Sequence, residues 1–400
     1  DGTVGANKNS IKIIGQYTDK DAQAYFAYDS KKSFGVTVSH LRFGDKQIKS
    51  TYLITAPDFV SCSAHAYIGK YDLPKGIKEG GTFLLNSPWS KEEAFSHLTR
   101  DMQETIINKK IKFYNVNAEQ LIKEQPGLRG KGANTVMMVA YFKVSGIIPF
   151  EQAYEGMKEM TIKTFKKKGD DVVNMNLSLI DAAINATEEV VIPASLDGVA
   201  HADMVEFLPA DADKFAKSII EPSMRQKGDD IPVSAMSVDG VIPTGTAKLE
   251  KRGIAPRVPK WNSETCAQCG VCASACPHAA IRTKLVEPAD AEKAPASFTM
   301  VDAKPNDHGE KFKVQVYCND CTGCGVCLDQ CPMNKIPGKE ALTWSTIEAE
   351  KAAGESENEK FFGVLDLRDL IIARDGDDLL KIIKTNIGIN IYPNETCHAG

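Results

Sequence analysis

The sequence predicts an α/β domain with a mostly parallel sheet, followed by a connecting region and an α+β domain built around two cysteine runs. Two observations carry this. In the first half, apolar runs of strand length alternate with helical patterns, and such alternation implies a mostly parallel sheet covered on both faces. In the second half, nine of the eleven cysteines fall between Cys266 and Pro332, eight of them in two nearly identical runs.

The 400 residues argue for two or three domains, and 42% hydrophobic with 25% charged residues is the composition of a globular chain with a sizeable core. A net charge of -5 leaves no basic footprint, so no nucleic-acid partner is expected. No apolar run approaches the roughly 18 residues needed to span a bilayer, and the start has neither a charged n-region nor an h-region, so no membrane is expected either. The expected setting is a reducing compartment, where thiolates and iron survive.

In order, Asp1, Gly2, Thr3, Val4 and Gly5 form a glycine-bearing loop with Ala6 to Lys8, and Ser10 to Gln16 reads as the helix after it. Unpaired amides and a positive dipole end at a helix start suit an anion, so this is a phosphate-loop candidate. Glycine-rich strand-to-helix turns also occur without any ligand. No strand precedes the loop, which suggests a piece of something longer.

Strands are expected over 24–28, 36–43, 52–56, 82–86 and 112–116. Ser90 and Glu93 form a capping box for a helix reaching about Asn108. Asn117 should cap a helix over 118–124, and Asn134 one over 135–144. An amphipathic helix should cover 151–168, and Asn174 or Asn176 should precede another over 177–186. The expected domains are 1–197 (α/β), 198–250 (connecting region), 251–347 (the cysteine-rich domain) and 348–400 (an unassigned tail). Within the connecting region a short helix is expected over 211–220. Residues 284–296 read as a surface insertion, and strands are expected over 281–285, 311–317 and 341–347.

The first cysteine run is Cys266-x2-Cys269-x2-Cys272-x3-Cys276-Pro277, and the second is Cys321-x2-Cys324-x2-Cys327-x3-Cys331-Pro332. This is the spacing of a ferredoxin-like domain carrying two 4Fe-4S clusters, in which the fourth cysteine of each run ligates the other cluster. Cys266, Cys269, Cys272 and Cys331 are expected to hold one cluster, and Cys321, Cys324, Cys327 and Cys276 the other. Two-residue gaps let one loop reach three corners of a cube. Gly270, Gly323 and Gly325 let amides approach sulfur, and Pro277 and Pro332 stiffen the exit by fixing φ. Zinc accepts four cysteines as well, but needs only paired C-x2-C knuckles. Disulfides belong to oxidising compartments. Cys318 breaks the repeat and reads as a spectator thiol, and Cys397 and His398 as bystanders.

On these residues the chain resembles the pyruvate:ferredoxin oxidoreductase family. The stretch from Asp1 to Lys12, then Tyr25-Phe26-Ala27-Tyr28-Asp29-Ser30-Lys31-Lys32-Ser33 and Ser39-His40-Leu41-Arg42-Phe43-Gly44, is similar to its gamma domain, and the cysteine runs to its two-cluster domain. The resemblance covers about residues 1–345. It implies oxidative decarboxylation of pyruvate to acetyl-CoA, with electrons passed to ferredoxin or flavodoxin. Coenzyme A is implied as substrate, contacted by the Asp1–Gly5 loop, Lys32, Asn134 and Asn176. Thiamine diphosphate and magnesium would be held only by the complete enzyme, a homo-oligomer, on domains or subunits outside this segment. Arg374-Asp375-Gly376-Asp377 is a poor version of the family's magnesium loop. The implied location is the cytoplasm or the reducing lumen of a hydrogenosome-like organelle. A subunit of another 2-oxoacid oxidoreductase, or a stand-alone electron-transfer protein, are alternatives.

Overall fold

The computed structural model describes residues 3–28, 36–125, 132–251, 253–255, 257–304 and 309–365. The chain divides into two units, Asp1–Val205 and Glu206–Gly400.

In the first unit, helix α1 spans Val4–Tyr17 and is followed by strands β1 (Asp21–Tyr28) and β2 (Thr37–Gly44). Next come β3 (Phe59–Cys62), β4 (Thr82–Asn86), helix α2 (Arg100–Asn108), β5 (Lys112–Val116) and helix α3 (Ala118–Lys123). Helices α4 (Ala133–Ser145), α5 (Phe150–Phe165) and α6 (Asp170–Ala183) then lead to β6 (Thr187–Glu189). The main sheet has the order β3-β4-β5-β6, with the first three strands parallel and β6 antiparallel.

Alternation along β4 sends Leu84 to one face, where it joins α1, α4, α5 and α6 in one core around Ile13, Val136, Phe142 and Leu179. Phe83 is sent to the other face and stacks on Phe113 of β5 at 5.2 Å. Helix α4 is apolar almost all round, with seven buried residues, as a helix enclosed on several sides must be.

Several expectations are corrected. Residues 24–28 and 36–43 do not join the parallel sheet: β1 and β2 pair with each other as an antiparallel hairpin, from Asp21 opposite Gly44 to Tyr28 opposite Thr37. The link between them is too short for the crossover that parallel pairing needs. Residues 52–56 make no ladder. The strand lies at Phe59–Cys62 instead, beyond Pro57, which has no N–H to donate.

Only half of the capping box forms: Ser90 N–H donates to Glu93 Oε2 at 3.3 Å, but Ser90 Oγ donates to the same carboxylate at 3.0 Å while the Glu93 amide goes to the Ser90 carbonyl, and α2 starts only at Arg100. The His97 ring lies flat on Trp89 at 4.2 Å. Eight residues of helix would hold these rings roughly 12 Å apart. Helix α6 begins at Asp170, so Asn174 and Asn176 lie inside it. Helix α4 begins at Ala133 with Gly132 as N-cap, which puts Asn134 inside its first turn.

In the second unit, a π-turn over Ala216–Ile220 runs into helix α7 (Glu221–Met224), and Phe207, Ala216, Ile220 and Met224 make a small core within the connecting region. The cysteine-rich part follows: β7 (Val258–Trp261), α8 (Val271–Ala275), β8 (Ile281–Val286), α9 (Pro288–Ala291), β9 (Val301–Asp302), β10 (Lys311–Val316), α10 (Val326–Gln330) and β11 (Leu342–Ser345). Helices α11 (Ile347–Ala352) and α12 (Glu355–Val364) end the described chain. Cys397, His398 and Arg374-Asp375-Gly376-Asp377 lie outside the described residues.

The strand before each cysteine run pairs with the strand after the other run: β7 with β11, and β10 with β8, both antiparallel. That exchange gives the domain its pseudo-twofold form. Lys284 belongs to β8 rather than to an insertion, and it is only 7% exposed. Its ammonium donates to the Phe362 and Leu365 carbonyls at 2.7 and 2.9 Å, the carbonyls that α12 leaves unpaired at its end.

Candidate functional site

Each cysteine run folds the same way. Two residues after the first cysteine the backbone turns left-handed, at Gln268 (φ 57°) and Gly323 (φ 71°). It does so again at Gly270 (φ 70°) and Gly325 (φ 82°), which start α8 and α10. A side chain at Gly325 would combine this strain with a Cβ 3.3 Å from the Trp344 ring, so glycine is required there. The short helices carry the third cysteines, Cys272 and Cys327, and end on the fourth, Cys276 and Cys331, in extended backbone.

Two cavities result, one within each set of thiols. Cys266, Cys269 and Cys272 line one together with Cys331, and Cys321, Cys324 and Cys327 line the other together with Cys276. The fourth cysteine of each run thus stands among the first three of the other. Backbone amides face the sulfurs: Gln268 N–H donates to Cys266 Sγ at 3.4 Å, Gly323 N–H to Cys321 Sγ at 3.4 Å, and Ala280 N–H to Cys276 Sγ at 3.3 Å. Cys269 and Cys324 are exposed, so each cavity has one thiol at its mouth.

Burial pushes the Cys321 thiol up to about 11. Burial and the neighbouring Cys276 and Cys321 push Cys327 to about 12, and burial with Cys266 drives Cys272 higher still. Without a positive centre these groups hold their protons, so binding iron would release them. Four thiols round one cavity, with amides directed at sulfur, fit a cubane cluster whose irons each take one thiolate. Among the described residues no three or more His, Cys, Asp or Glu side chains close on a single-ion point, the arrangement that a tetrahedral zinc site requires.

In the first unit, the carboxyl ends of β3, β4 and β5 gather polar groups. Asn86 Nδ2 donates to the Ser63 carbonyl at 3.0 Å, and Asn86 Oδ1 accepts the Ala118 amide at the start of α3. Ser63 Oγ donates to Thr3 Oγ1 at 2.9 Å, which brings the start of α1 to this edge. Asn134 is here too, and its Oδ1 accepts the Ala6 amide at 3.1 Å.

Thr3 is therefore the N-cap of α1, while Val4 and Gly5 form its first turn rather than a loop. Asn176 is buried within α6 and meets the start of α4, its Nδ2 donating to the Val172 carbonyl and its Oδ1 accepting from Thr135 Oγ1, the neighbour of Asn134. Asp1, Gly2 and Lys32 lie outside the described residues. The strand that leads towards Lys32 belongs to the hairpin and not to the parallel sheet, so an argument from that sheet's edge does not reach it. Sequence reasoning missed Ser63 and Asn86. Their signal is position, since each sits at or just beyond the carboxyl end of a parallel strand, where open α/β folds place ligands.

Residues 1–186 match the family described as pyruvate ferredoxin/flavodoxin oxidoreductase. They belong to that family. Residues 201–255 match a domain of unknown function, and residues 265–334 match a 4Fe-4S double cluster binding domain. The pyruvate:ferredoxin oxidoreductase of Moorella thermoacetica is 48% identical over 360 residues, which cover 89% of this chain and 30% of that protein. The pyruvate-flavodoxin oxidoreductase of Trichormus variabilis is 44% identical over 370 residues, covering 90% and 31%. The chain thus spans about 30% of the length of these oxidoreductases. Among its described residues no helix is long and apolar enough to cross a membrane.

Proposed function

We propose that this chain supplies the electron exit and the coenzyme A site of an oxidoreductase that converts pyruvate, with thiamine diphosphate, to acetyl-CoA and CO2 and passes electrons to ferredoxin or flavodoxin. The observation that carries the reading is the pair of cavities, each lined by three cysteines of one run and the fourth of the other. Cys266, Cys269, Cys272 and Cys331 would hold one 4Fe-4S cluster, and Cys276, Cys321, Cys324 and Cys327 the second. When bound, the clusters supply one-electron transfer.

The chain's own residues make that transfer possible. Amides of Gln268, Gly323 and Ala280 offset thiolate charge. Phe312 and Leu342 on one cavity, and Ile281 and Trp344 on the other, keep water off the sulfurs, while Cys269 and Cys324 provide the exposed edges where electrons enter or leave.

Coenzyme A would bind at the carboxyl edge of the parallel sheet. Its phosphates would meet the Val4 and Gly5 amides at the start of α1, because Ala6 is already taken by Asn134. Lys32 would add a cation on the strength of the family resemblance, since the strand leading towards it belongs to the hairpin and not to that edge. Asn134 would shape the site by fixing the helix start.

Two measurements test the reading. Anaerobically reconstituted protein should bind about eight iron and eight labile sulfide per chain, the content of two cubane clusters. Bound zinc without visible absorption would sink the cluster reading. Calorimetry should show coenzyme A binding that weakens by about 1–3 kcal/mol in Lys32→Ala, the range for one charge-assisted contact. Equal affinities in the two proteins, or none in either, would move the coenzyme A site elsewhere.

A further inference from the structure

Within the second unit, helix α12 brings a carboxylate to the turn that leads into the second cysteine run. Glu359 Oε1 accepts the Cys318 amide at 2.8 Å. Cys318 lies in a tight turn closed by the Asp320 and Cys321 amides, which both donate to the Tyr317 carbonyl at 3.0 Å. One turn of backbone therefore separates Glu359 from Cys321, a lining thiol of one cavity.

Several groups face this carboxylate. Its own helix contributes Glu355, the turn contributes Tyr317, Cys318 and Asp320, and the segment before β7 contributes Lys251, which is paired with Asp320. Lys313 of β10 and Glu350 of α11 act from behind Glu355 and Cys318. Burial, then Asp320 and Glu355, raise Glu359 to about 7, against the Cys318 amide and Lys251, which lower it. Such a carboxylate changes protonation within the physiological range. An electron added to a cluster one turn away would repel its negative form.

We propose that Glu359 is the proton-binding partner of the cluster held by Cys276, Cys321, Cys324 and Cys327. The inference rests on the reading of that cavity as a cluster site. When the cluster accepts one electron from a one-electron reductant, the Glu359 carboxylate takes one proton from water, forming a carboxyl O–H. When the cluster gives the electron up, that bond breaks and the proton returns to solvent. The net charge of the pair stays constant, and no ligand bond to iron changes.

The test is a potentiometric titration of the reconstituted chain, followed by electron paramagnetic resonance from pH 6 to 9, with iron content measured on the same samples. Above about pH 7 one of the two clusters should shift its equilibrium tenfold per pH unit, which is about 59 mV for one electron. The other cluster should stay flat. Glu359→Gln keeps an oxygen for the Cys318 amide and cannot titrate, so in this variant both clusters should be flat at full iron content. Reduced-minus-oxidised infrared spectra should show a protonated carboxyl band in the original protein that is missing from Glu359→Gln.

Two loaded clusters with flat potentials in the original protein would overturn the role of Glu359 alone. So would a slope that survives in Glu359→Gln. A chain that binds no iron would overturn the cluster reading and this inference with it.

Discussion

Asn134 of α4 accepts the Ala6 amide of α1 at 3.1 Å, so the N-terminal cap of one helix is supplied by another helix far along the chain. Thr3, the local N-cap residue, makes no side-chain cap bond. Asn134→Ala should therefore unpair an amide of the first turn and cost about 0.5–2 kcal/mol, the range for losing a helix cap. Denaturant unfolding followed by circular dichroism measures it, and a midpoint unchanged from the parent would show that water replaces Asn134 at no cost.

Gly156 of α5 faces α1 so closely that an added Cβ would lie 2.9 Å from Ile13 Cγ2 and 2.9 Å from Tyr17 Cε2. Ile13 is fully buried and cannot step aside. Alanine is the better helix former by roughly 0.5–1 kcal/mol, while overpacking a filled core costs about 1–3 kcal/mol. Gly156→Ala should therefore lower stability on balance. A rise in the thermal midpoint would mean that the two helices separate easily.

The cysteine runs made the second unit legible, because a spacing that fixes which loop wraps three thiols leaves little freedom to the chain around it. The Thr82–Asn86 and Lys112–Val116 strands and the Asn117 cap were legible for local reasons. The first-unit edge was harder to see. Asn134 looked like the start of its own helix, since Asn is a good N-cap, yet its partner lies on α1, and no local pattern encodes a cap taken from elsewhere. The β1–β2 hairpin was hidden because a strand's sequence does not state which neighbour it will pair with. Lys284 read as surface because lysine usually is. Its ammonium is instead taken up by α12, whose terminal carbonyls it satisfies.

Lys284 gives a third prediction. It stands directly opposite Lys313 on the sheet, an arrangement that is unfavourable unless each ammonium finds other partners. Those of Lys284 include two carbonyls at the end of α12 and the face of the Phe362 ring at 4.6 Å. Lys284→Met fills similar space but leaves both carbonyls without this donor, at a cost of about 1–3 kcal/mol for a buried group left unmade. Amide exchange over 355–365 should quicken while that of β4 and β5 stays as it was. Unchanged exchange in α12 would show that its apolar contacts through Phe362 suffice to hold it.

The crossing of the fourth cysteines gives the last prediction. Cys331 follows α10 but lines the cavity of Cys266, Cys269 and Cys272, and Cys276 follows α8 but lines that of Cys321, Cys324 and Cys327. The cause is the strand exchange, because β8 leaves Cys276 to pair with β10, the strand that leads into the second run. Serine keeps the size of the side chain but is a poorer ligand for iron than thiolate. Cys276→Ser should therefore damage the cluster beside Trp344, and Cys331→Ser the one beside Phe312 and Leu342. The two are told apart by the Cys324→Ser and Cys269→Ser variants, whose cysteines lie at the mouths of the same cavities. The paramagnetic resonance spectrum of reduced Cys276→Ser should match that of Cys324→Ser, and the spectrum of Cys331→Ser that of Cys269→Ser. The opposite match, Cys276→Ser with Cys269→Ser, would mean that each run holds its own cluster, and that the cavities do not divide the cysteines as iron does.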